Sequence, residues 1–133
     1  MKNIKPKHLD ISIERLNEES IFLALENQEL FYITINEKKF FSNGDKIKIE
    51  NPNYTRFFEQ IEKLNIWNLE KEYGSELIAK TWWHINIELN DKKVVSCGVD
   101  IYPDMKNEDE STFFNVLNQA ISELVRDSLK KSE

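Results

Sequence analysis

The sequence predicts an α+β domain: an antiparallel sheet of about five to seven strands with two amphipathic helices on one face. Three observations carry that prediction. Apolar and polar residues alternate strictly in several segments, which is the period of a half-buried strand. The apolar spacing lengthens to three and four residues at 54–65 and again from residue 111, which is the period of a helix. Short polar runs with turn chemistry separate the alternating segments.

The first strand follows from Leu9, Ile11 and Ile13, which alternate with Asp10, Ser12 and Glu14. The second has Ile21, Leu23 and Leu25 on one face and Phe22 and Ala24 on the other. The third has Phe31, Ile33 and Ile35 against Tyr32 and Thr34. A three-residue loop, Asn27-Gln28-Glu29, sets Leu25 opposite Phe31, Leu23 opposite Ile33 and Ile21 opposite Ile35, with all six on the core face. Ser42-Asn43-Gly44-Asp45 is the clearest turn signal, because Asn-Gly suits the positive φ angles of a type I′ turn. It is expected to join Phe40-Phe41 to residues 46–49 and so extend an antiparallel meander.

Tyr54, Phe57, Phe58, Ile61 and Leu64 then mark one face of a helix over 54–65, with Asn53 or Thr55 as N-cap and Asn65 as a left-handed stop. Residues 66–80 fit no period. Trp83, Ile85, Ile87 and Leu89 form the next strand face, opposed by Trp82, His84, Asn86 and Glu88. Adjacent strand residues point to opposite faces, so only one of the two tryptophans enters the core. A three-residue loop, Asn90-Asp91-Lys92, leads to Val95, Cys97, Val99 and Ile101, expected to share the core face with Ile85 and Ile87. Tyr102-Pro103 ends that strand. From Ser111 a long helix follows, capped by Asp109, Ser111 or Thr112. Phe113, Leu117, Ala120, Ile121, Leu124 and Val125 form its apolar stripe, and fraying is expected beyond about residue 129.

Composition narrows the function classes. The 133 residues suit one domain, 1–133. With 40% hydrophobic residues, including eight Phe, four Tyr and three Trp, the chain can build a core. The 24 acidic residues outnumber the 18 basic ones, for a net charge of −6. That balance disfavours nucleic acid and anionic membrane as partners. The apolar runs are too short for a transmembrane helix, and the first residues lack the apolar stretch of a signal peptide, so a cytoplasmic location is expected. The single cysteine, Cys97, rules out an intramolecular disulfide and a Cys-based zinc site.

No recognisable cofactor motif is present, and no cofactor or metal is expected. His8 and His84 are far apart in sequence, and no Gly-rich phosphate loop occurs. Glu59, Glu62, Glu70 and Glu72 suit a solvated surface. His84 and Cys97 are the one nucleophile–base pair to weigh, since an adjacent imidazole activates a thiol. The loop lengths expected above place them on opposite faces of the sheet and so argue against a dyad.

From Trp67 onward the layout is Trp67, Tyr73, Trp83-x-Ile85-x-Ile87, Ser96-x-Gly98, Tyr102-Pro103 and a helix opened by Phe113-Phe114. Over residues 67–125 this resembles small bacterial proteins of unknown function. The resemblance implies a strand–strand–helix layout and no activity.

The expected function is therefore non-enzymatic protein binding by an acidic inhibitor or immunity-type protein that covers a basic surface. Trp82, His84 and Glu88 would make contacts from the open sheet face, joined by Asp100 and by Asp104, Glu108, Asp109 and Glu110 of the acidic loop. The same acidic loop also suits the positive end of the following helix. Two alternatives are a homo-oligomerising structural module, such as a homodimer, and a small enzyme with a carboxylate site.

Overall fold

The computed structural model describes residues 5–15, 19–36, 46–74, 81–99 and 112–131. It shows an α+β fold. The strands are β1 (His8–Arg15), β2 (Glu19–Glu26), β3 (Glu29–Asn36), β4 (Ile47–Ile49), β5 (Glu72–Gly74), β6 (Thr81–Leu89) and β7 (Lys92–Val99). The helices are α1 (Tyr54–Glu62) and α2 (Thr112–Lys131), with a 3-10 turn at Ile66–Asn68.

One sheet takes all seven strands in the order β4-β3-β2-β1-β6-β7-β5. β1–β2–β3 run as the expected antiparallel meander, β4 adds to β3 antiparallel, and β6–β7 is the expected hairpin. The two halves merge where β1 pairs antiparallel with β6 from His8↔Glu88 to Arg15↔Thr81. The sheet is mixed rather than purely antiparallel, because β5 pairs parallel to β7 at the edge. Phe40, Phe41 and the Asn43-Gly44 turn lie outside the described residues. The described partner of β4 is the start of β3.

Both hairpin loops are shorter than expected, and both shift the register. Asn27 and Gln28 alone join β2 to β3, with φ of 50° and 67°. Positive φ at both central residues is the requirement of a type I′ turn, whose twist matches the strands it connects. Leu25 therefore pairs with Leu30, Leu23 with Tyr32 and Ile21 with Thr34. Phe31, Ile33 and Ile35, expected in the core, face the other way with Phe22 and Ala24. Asn90, at φ 54°, and Asp91 alone join β6 to β7, so Leu89 pairs with Lys92. Val95, Cys97 and Val99 thereby leave the core face, and Val94, Ser96 and Gly98 enter it.

Packing around Trp83 explains why the core accepts Ser96 and Gly98. The Trp83 side chain is 2% exposed. Its cross-strand partner is Gly98, which also pairs with Tyr73 of β5. With no side chain at Gly98, the indole lies 5.8 Å from the Tyr73 ring and 5.7 Å from the Phe113 ring. Ser96 is fully buried, and its hydroxyl donates to the Glu70 carbonyl at 2.6 Å, which satisfies the polar group and ties the segment before β5 to β7.

The helices cover this same face. α1 buries Tyr54, Phe57, Phe58 and Ile61, and α2 buries Phe113, Leu117, Ala120, Ile121, Leu124 and Val125, all in one cluster with the inward strand residues. Asn53 caps α1 by accepting from the Arg56 backbone N–H at 3.2 Å, and Asn65 stops the chain at φ 57°. The described helix ends at Glu62, with the next residues closing as tighter turns from Leu64 N–H to Ile61 and from Asn65 N–H to Glu62. α2 begins at Thr112 and continues to Lys131, past the expected fraying point. Its candidate caps Asp109 and Ser111 lie outside the described residues. Between the helices, Gln60 donates to Glu123, and Arg56 approaches the same carboxylate at 3.5 Å.

Candidate functional site: the open sheet face

The second face of the sheet carries no described helix. Strand pairing arranges its side chains in rows, because paired residues point to the same side. One row runs Phe31, Ala24, Asp10, Asn86 and Val95. The next runs Ile33, Phe22, Ser12, His84, Cys97 and Glu72. In the third, Glu14 pairs with Trp82 and Trp82 with Val99, while Ile35 pairs with Ser20.

Three of the expected contact residues come together here. Trp82, His84 and Glu88 share the outward side of β6, and Trp82 is 38% exposed while Trp83 is buried, as the alternation requires. Asp100, Asp104, Glu108, Asp109 and Glu110 lie outside the described residues.

The apolar part of the face is the part that sequence reasoning missed. Ile35 is 39% exposed and Val95 42%, and Phe22, Phe31, Ile33 and Val99 are half-buried around them. The signal was present in the turns. Asn at the first position of each loop favours positive φ, hence the two-residue turn that sends these residues outward. Lys46 borders the patch: its ammonium sits 4.4 Å above the Phe31 ring and pairs with Glu26 at 2.7 Å. Between the apolar residues of β2–β3 and those of β6–β7 runs the polar stripe of β1, with Asp10, Ser12 and Glu14. Neither Asp10 nor Glu14 forms an ion pair among the described residues.

The register also corrects the placement of Cys97. It is not a core residue behind the sheet from His84 but its direct cross-strand partner on the open face. The thiol donates weakly to the Lys71 carbonyl at 3.7 Å. No group of three or more His, Cys, Asp and Glu side chains is placed to hold a metal ion among the described residues. Among the described residues no helix is long and apolar enough to cross a membrane.

No protein-family model, curated protein or solved structure matches the chain. The site is therefore read from its own geometry.

Proposed function

We propose that the chain is a non-enzymatic protein-binding module that docks through the open face of its sheet onto a partner with a basic, partly apolar surface. The supporting observation is the face itself: Trp82, Val95 and Ile35 stand exposed on the open side of the sheet around an acidic stripe. Singly scattered surface apolar residues need no explanation, but here two apolar clusters, on β2–β3 and on β6–β7, flank one acidic stripe on the same face, an arrangement suited to a partner that is both basic and apolar.

The scale suits this reading. Five strands at about 4.8 Å spacing and eight residues at about 3.3 Å rise span roughly 24 Å by 26 Å, or about 600 Å². That approaches the roughly 800 Å² that each partner contributes to a standard interface. Trp82 is the natural anchor, since an aromatic ring buries much area at little entropic cost.

The charge favours a different partner over a second copy. β1 is the middle strand of the sheet. A two-fold axis through the face would bring the Asp10 and Glu14 stripe against its own copy, and like charges in apposition oppose association. A basic partner would meet that stripe, and a chain of net charge −6, with attraction instead.

The test compares the unaltered chain with Trp82→Ala and Ile35→Lys variants in affinity capture, followed by titration of the captured protein at low and high salt. A basic protein is expected whose affinity falls about thirtyfold or more with Trp82→Ala, as for a hot-spot residue, and weakens as salt rises. A partner that binds both variants equally, or without salt dependence, refutes the proposal. A concentration-independent dimer in sedimentation that Ile35→Lys dissolves would replace it with self-association.

A further inference from the structure

Glu14 of β1 and Trp82 of β6 are direct cross-strand partners on the open face, and both side chains are exposed. We propose, resting on the docking reading above, that this pair is the specificity-determining subsite of the face and takes an arginine side chain of the partner protein. The guanidinium plane would lie over the indole while its edge donates to the Glu14 carboxylate.

Register supplies the first reason. Residues paired across antiparallel strands hold their Cβ atoms about 4.5–5.5 Å apart. A carboxylate and an indole at that spacing can serve one ligand group together. Val99 pairs with Trp82 on the β7 side, and His84 follows two residues along β6. Among these neighbours Glu14 supplies the negative charge.

The second reason is a contrast within the chain. Three other rings already carry a cation: Arg15 lies 5.5 Å from the Phe114 ring, Lys46 4.4 Å from Phe31 and Lys92 5.7 Å from Trp67. Trp82 takes no cation from the described residues, although indole is the aromatic ring that attracts cations best. Glu14 likewise forms no ion pair among the described residues. Two groups that each attract positive charge thus stand side by side, unmatched, on the surface that meets a basic partner.

Shape selects arginine over lysine. The planar guanidinium stacks on an aromatic face and presents N–H donors at its edge, so it can satisfy ring and carboxylate at once. An ammonium is a more strongly hydrated point charge and fits only one of them well. Tryptophan and arginine are also the residue types enriched at interface hot spots, and hot spots tend to pair across an interface.

The experiment is an NMR titration of the full ¹⁵N-labelled chain, read at the indole N–H of Trp82, which Trp82→Phe assigns. The probes are three acetyl-Leu-X-Leu-amide peptides, with X as arginine, lysine or citrulline, the last having the shape of arginine without its charge. The response is expected to be largest for arginine, smaller for lysine and smallest for citrulline. Glu14→Gln, a surface change, is expected to cut the arginine response about two- to fivefold, the scale of an exposed ion pair. Equal responses to arginine and citrulline, or an arginine response unchanged by Glu14→Gln, overturn the subsite. The docking reading fails separately. Ile35 lies three strand spacings from Trp82, about 14 Å, so Ile35→Lys is expected to weaken partner capture and leave the arginine response intact. An arginine response without a captured partner removes the docking reading alone. Capture that depends on Ile35 but not on Glu14 removes the subsite alone.

Discussion

At the scale of single residues, Gly98 has the narrowest tolerance. It lies between Trp83 and Tyr73 across two strand pairings, where any side chain would collide with the indole. Gly98→Val is expected to destabilise the fold by about 1–3 kcal/mol through overpacking, read as a lower denaturation midpoint. Glu123 is a second informative residue. The hydrogen bond from Gln60, and then the Arg56 charge, hold its carboxyl below the usual carboxylate range. A lowered folded-state value means the native state favours the charged form. This contribution is present above the unfolded-state value and is lost as pH falls through the folded-state one. Glu123→Gln is therefore expected to lower the melting temperature at pH 7 and to change it less at pH 3. An equal loss at both pH values would show that the carboxylate charge plays no part in joining α1 to α2.

Among the elements, the two short hairpin turns decide most of the surface chemistry. Gln28 sits at φ 67°, a left-handed conformation that opposes a side chain with a Cβ. Gln28→Gly is expected to stabilise the protein by about 0.5–1 kcal/mol, because glycine reaches that angle without strain. The gain would appear in chemical denaturation. A loss would argue against the two-residue turn and so against the outward placement of Phe31, Ile33 and Ile35. Asn27 and Asn90 suit their positive φ angles better, since Asn tolerates the left-handed region. The helices are the more legible elements. Each has one apolar stripe, and a stripe at the helical period can bury in only one direction.

At the scale of the whole molecule, the sheet separates two kinds of surface. Its covered face holds the core, and its other face presents Trp82, Val95, Cys97 and Ile35. Cys97 is expected to react with a water-soluble thiol reagent in the native state, faster than global unfolding would permit. A bulky adduct there should abolish docking while leaving the melting temperature nearly unchanged. Thiol protection equal to that of a core residue would contradict the register of β6–β7. The pairing of β1 with β6, far apart in sequence, builds this continuous face from two hairpin systems that could not form it separately.

The sequence by itself determined the periods: which of the longer segments are strand or helix, the helix faces, a cap for α1 at Asn53 or Thr55, and that Trp83 and Trp82 part company across the sheet; the short β5 and the 3-10 turn, in residues that fit no period, were not among them. Those features follow from local chemistry, in which alternation and spacing are written residue by residue. Tertiary structure decided which apolar set of β3 and β7 turned inward. Both sets were available, since Phe31 and Tyr32, or Val94 and Val95, are neighbours with similar claims on the core. One residue of loop length chose between them, and the need for an empty place beside Trp83 made Gly98, not Cys97, the inward partner. Period-2 alternation says that two faces differ; only packing against the rest of the molecule says which of them meets water.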